Sequence, residues 1–207
     1  MARPSSLLDY ATSLDPIQSQ VLAGKQAISE TKYDTLTLAA AAIPASTQFF
    51  ATPSADLAVK NFDGAAQLVS AGKHFLIQTI GVKICSIAAA TTAQNILDFI
   101  NKCALRLQVD QKIMGTFAVH QLTGAGGIFM PSQGGVTPVA APVGATMTTG
   151  LENGVPQNQP FRVKPMLIEG QKNFAAYLIG PTGTAITLAG TLEIKVLLGG
   201  LQYQSIQ

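Results

Sequence analysis

Few side chains in this 207-residue sequence suit acid–base, nucleophilic or metal chemistry. Acid–base catalysis needs a close carboxylate pair or a supported imidazole. Beyond residue 110 the acidic side chains are Asp110's three successors, Glu152, Glu169 and Glu193. Glu152 sits among glycines and Glu169 at the end of an apolar run, so both read as solvated or turn-stabilising carboxylates. The two histidines, His74 and His120, each lie in a strand-like stretch and read as ordinary strand residues rather than general bases. A serine nucleophile would have only these two imidazoles to draw on. Cys85 and Cys103 lie among apolar neighbours and read as buried free thiols; spacing alone does not establish a disulfide between them. A metal centre would need more ligands than these four residues readily supply. Thr123-Gly124-Ala125-Gly126-Gly127 looks superficially like a dinucleotide loop, but it lacks the third glycine, and Pro131 follows too soon for a helix behind it. No phosphate-loop run and no His-Glu-x-x-His run occurs. No residue is thereby expected to be catalytic, cofactor-binding or metal-binding, and no enzyme is expected.

The elements that would position any site read as mostly β. Tyr33 to Leu38 alternates, and Ser46 to Thr52 is a second short strand closed by Pro53. Residues 53 to 72 form a long polar connection. Lys73 to Ile84 gives the strongest strand signal. Phe75, Ile77 and Thr79 lie on one face there, and Gly81 marks a bulge after which Val82 and Ile84 continue. One helix is expected from Ala93 to Cys103, capped by Thr91 or Thr92. Leu105, Leu107 and Val109 return to strand spacing. Ile113 to Leu122 is ambiguous, with a slight strand preference. Residues 123 to 160 hold glycines and prolines in loop chemistry. Phe161 to Ile168, Asn173 to Ile179 and Ile186 to Leu198 close the chain as strands. Residues 1 to 30 read as an N-terminal arm, either a frayed terminus or a segment that orders against a neighbouring subunit. The expected fold is therefore all-β: an antiparallel sandwich of jelly-roll type spanning 31–207, with about eight strands and one short inserted helix.

Composition narrows the function. Thirteen basic and 11 acidic residues serve the whole chain, a charged fraction of 12%. Soluble domains usually carry about twice that fraction. The net charge is +2 and mean hydropathy is +0.31. Lys and Arg are scattered, which argues against sequence-specific nucleic-acid binding. No apolar run approaches the ~20 residues of a spanning helix. The N-terminus lacks the apolar core of a signal peptide. A lone globule of this composition would expose apolar patches and associate. The simplest resolution is that association is the function. Small residues such as Ala40, Ala41, Ala140 and Ala141 would let flat surfaces approach closely.

Two stretches carry a resemblance. The first runs Thr47-Gln48-Phe49-Phe50-Ala51-Thr52-Pro53, then Asn61, then Ala71 through Ile80. The second runs Asn153-Gly154-Val155-Pro156, Phe161, Asn173-Phe174 and a final strand ending Val196-Leu197-Leu198-Gly199-Gly200. This layout resembles jelly-roll capsid proteins of tailless icosahedral bacteriophages, including those with an internal membrane. The resemblance covers about two thirds of the chain as a pattern. It implies a virion coat subunit, made in the host cytoplasm and without catalytic residues. Its partners would be copies of itself in trimer-, pentamer- or hexamer-like capsomers, together with other capsid proteins and an internal lipid membrane. The helix at Ala93 to Lys102 departs from the pattern and reads as an insertion. The alternative is a non-catalytic binding module, or a virion appendage or decoration protein, on the same sandwich. The absence of Trp counts against a sugar-binding platform.

Overall fold

The computed structural model describes residues 24–54, 56–88, 90–122, 128–129, 152–153, 161–181, 183 and 185–205. Among these residues ten strands and two helices follow in chain order: β1 Lys25–Leu38, β2 Ser46–Phe49, β3 Lys73–Ile87, α1 Ala93–Lys102, β4 Ala104–Val109, β5 Lys112–Ala118, α2 Val119–Leu122, β6 Ile128–Phe129, β7 Glu152–Asn153, β8 Phe161–Glu169, β9 Phe174–Ile179 and β10 Leu192–Ser205. Eight of the strands form two four-stranded antiparallel sheets, ordered β1-β10-β3-β8 and β2-β9-β4-β5. Among the described residues, the short strands β6 and β7 pair with each other.

This order is that of a jelly roll. Leaving out β6 and β7, the first strand pairs the last, the second the seventh, the third the sixth and the fourth the fifth. A long antiparallel hairpin rolled on itself gives that pattern, with its pairs dealt alternately to two sheets. The fold is the all-β sandwich that the alternation predicts.

One apolar core lies between the sheets. Phe75, Ile77, Ile80, Val82 and Ile84 of β3 enter it, with Ile194, Val196 and Leu198 of β10. Leu105 and Leu107 of β4 and Phe174, Ala176 and Leu178 of β9 face them. Phe50 stands edge-on to Phe62 and to Phe174, at centroid separations of 5.3 and 5.4 Å. Such pairs contribute about 0.5–1.5 kcal/mol beyond the area they bury.

The inserted helix forms as its capping residues dictate. Thr92 is the N-cap: Asn95 N–H donates to Thr92 Oγ1 at 3.2 Å, and Thr92 N–H donates to Asn95 Oδ1 at 3.3 Å. This reciprocal pair satisfies two donors that the first helical turn leaves open. Asn95 also donates to the Thr187 carbonyl at 2.9 Å, tying the helix to the segment before β10. Ile96 and Phe99 are buried on its inner face.

Several expectations are corrected. The alternation of β3 shifts at Gln78, not at Gly81. Gly81 pairs Leu197 in regular register, whereas β8 skips between Ile77 and Thr79. That shift brings Ile80, Val82 and Ile84 onto the same face as Phe75 and Ile77. The segment Ile113 to Leu122 is part strand and part helix, and His120 lies in α2 rather than on a strand. The final strand starts at Leu192, later than expected, and continues past Gly199-Gly200 to Ser205. Ile186 and Leu188 are buried without belonging to it. The arm boundary expected at residue 30 is displaced too. Residues 25–30 already pair with β10, while residues 1–23 lie outside the described residues. Most of the expected loop over 123–160 also lies outside them.

Candidate functional site

An ionic cluster pins the β2–β3 connection against β1. Lys32 is only 2% exposed, and its Nζ meets Glu30 Oε1 at 3.0 Å and Asp63 Oδ1 at 3.2 Å. Asp63 Oδ2 accepts from the backbone N–H and the hydroxyl of Ser70, both at 2.9 Å, and from Lys73 at 3.2 Å. Burial alone would raise the Asp63 carboxyl. The Ser70 hydrogen bonds and the charge of Lys32 outweigh it and hold the group well below the usual carboxylate range. Beside this cluster Asp34, 3% exposed, accepts the Phe50 N–H at 2.5 Å, and Lys60 approaches its other oxygen at 3.5 Å. Phe50 holds a left-handed φ of 60° there, a conformation costly for a bulky residue. The cluster has the form of a structural staple. Its charges are spent on each other and on the chain.

The residues singled out for chemistry are dispersed. His74, on the outer side of β3, accepts a hydrogen bond from Lys25 and pairs in register with Tyr203 and Glu169. Burial and the Lys25 charge lower its affinity for a proton, and Glu169 offsets them in part. Burial also raises the Tyr203 hydroxyl. His120 stands apart on α2, and Glu193 lies on β10 opposite Ser86. Cys103 is buried at the end of α1, and burial pushes its thiol up to about 11. Cys85 is a correction: it is exposed, because Ile84 takes the inward position beside it. Both cysteines are free. Among the described residues no three His, Cys, Asp or Glu side chains gather as metal ligands. No helix among them is long and apolar enough to cross a membrane. The Thr123–Gly127 loop lies outside the described residues.

A concavity lies between the free edges of the two sheets. β5 ends one sheet and β8 ends the other, and residues 112–117 and 161–166 of these strands line a groove of about 590 Å³. Its inner side rests on Phe117 and Phe161, which meet edge-on at 5.9 Å and pack against the core. Gly115 makes room for that pair, since a Cβ there would fall 2.7 Å from the Phe117 ring. Lys112, Arg162 and Lys164 also line the groove, and among the described residues no acidic side chain does. Ile113 at its margin is 54% exposed. On β8, Val163, Lys164 and Pro165 stand opposite the single residue Gln78, so the ladder to β3 opens there. Proline fits such a break because it has no N–H to donate.

This groove leaves almost no trace in the sequence. Its two walls are some fifty residues apart in the chain, and neither carries a motif. The signal available was the proline inside an otherwise alternating strand. No family model matches the sequence, and no curated protein matches it either.

Proposed function

We propose that this chain is a structural coat subunit that assembles with copies of itself into a shell, without catalysis. The observation that carries this reading is where the few charges go. Of 13 basic and 11 acidic residues, Lys32 and Asp34 are fully buried, and Glu30 and Asp63 are largely spent on Lys32. The outer surface is therefore poorer in ionic groups than the composition alone implies. Ala39 to Ala42 are exposed in a row, as are Ile28, Leu57, Leu97 and Ile113. Neutral and apolar surface of this kind favours burial against other subunits. The jelly-roll order supports the reading, since coat subunits are among the known uses of that architecture, although lectins and cupins share it.

Size-exclusion chromatography with light scattering tests it. Particles or large discrete oligomers are expected at micromolar concentration. A strict monomer at high concentration overturns the reading. The resemblance to coat proteins of membrane-containing bacteriophages belongs to the same proposal, and electron microscopy of the assembled material would show the shell geometry.

A further inference from the structure

Resting on that reading, we propose that the groove between β5 and β8 receives the N-terminal segment of a neighbouring copy. The carboxylates of Asp9 and Asp15 would pair there with Lys112, Arg162 and Lys164. Three observations carry the proposal. The walls are two strand edges, each with a sheet neighbour on one side only among the described residues. Such edges accept an added strand through their unpaired backbone groups. The groove is cationic at Lys112, Arg162 and Lys164 and apolar at Phe117 and Phe161, so its occupant should be acidic and apolar.

The sequence offers one such segment outside the described residues. Residues 4–23 contain Asp9 and Asp15, no Lys or Arg, and Leu7, Leu8, Tyr10, Leu14 and Ile17. By contrast residues 123–151 contain no charged side chain at all. Asp9 and Asp15 are six positions apart, ~20 Å in an extended chain, close to the ~17 Å that a six-residue wall of the groove spans. The segment joins the sandwich at Lys25 of β1, the edge of its sheet opposite β8. Donation to a neighbour therefore joins opposite edges of successive copies. That is a head-to-tail contact, and it closes rings when the rotation allows.

The test uses the full chain carrying a photo-crosslinking phenylalanine analogue at Ile113. Assemblies are formed from an equal mixture of nitrogen-15-labelled and unlabelled chains. Crosslinks from Ile113 to peptides within residues 1–25, joining heavy to light chains, are expected. Crosslinks to residues 128–160, or only between peptides of one label, overturn the proposal. Charge reversal provides a second arm. The variant K112E/R162E/K164E should lose at least tenfold in assembled fraction, and adding D9K/D15K should restore it, with circular dichroism confirming the fold. Unimpaired assembly of the triple variant, or failure of the compensating changes to rescue it, overturns the proposal. A wild-type chain that never associates sinks the coat reading and this proposal together. Particles whose crosslinks map elsewhere sink the proposal alone.

Discussion

Asp34 shows how one carboxylate shapes this protein. It accepts the N–H of Phe50, whose φ of 60° would otherwise be costly, and it answers Lys60. Replacing Asp34 by Ala leaves a buried donor unpaired and frees Phe50 to relax. The expected loss is about 3 kcal/mol, or roughly 6–12 °C in Tm for a domain of this size, read by thermal denaturation. Two other groups contribute to the response to acid, beside Asp98, whose carboxyl is lowered chiefly by its hydrogen bond from Lys102. His74 binds a proton less readily folded than unfolded. The unfolded chain therefore protonates first, and stability declines as the pH falls through the ordinary histidine value of 6.5. Asp63 is depressed in the folded state, so its contribution is present above the ordinary value of 3.8 and is lost as the pH falls below it. Urea titrations across pH should show two separate declines, and H74Q should abolish the upper one alone.

Among the elements, β10 has the tightest tolerances. Its register slips between Gly199 and Gly200, which brings β3 very close. A Cβ on Gly200 would fall 1.9 Å from the Leu76 carbonyl oxygen, which no side-chain rotation relieves. Gly200→Ala is expected to cost roughly 3 kcal/mol or more, and soluble yield with Tm would register it. The elements also show what local pattern reveals. The α1 boundaries follow from Thr92, Asn95 and the apolar spacing, all within one short window. The bulge of β3 does not, because it depends on β10 supplying no partner for Gln78 while β8 supplies three residues opposite it. The first half of β1 was hidden for another reason. Ser29 and its neighbours are hydrogen-bonded to β10 but mostly solvent-facing, so no apolar period marks them.

At the scale of the molecule, eight strands and a sandwich were legible from alternation and turn residues. The inward course of Lys32 and Asp34 was not, since a charged residue in an alternating run reads as solvent-facing. Their partners, Asp63 and Lys60, come from a connection without regular structure. The groove was equally hidden, because it exists only once two distant strands become edges side by side. What composition did convey was scarcity of charge, and the fold deepens that scarcity by turning ionic groups inward. The particle expected in light scattering follows from that balance rather than from any single residue.

The pairing of β1 with β10 along 14 residues each also sets a timetable. Until the ribosome has delivered Leu192–Ser205, β1 and β3 both lack the strand that lies between them. β1 and β3 must therefore wait, their inner faces open, for one late insertion. A chain cut short before Leu192 would leave β1 and β3 as facing edges with no strand to join them.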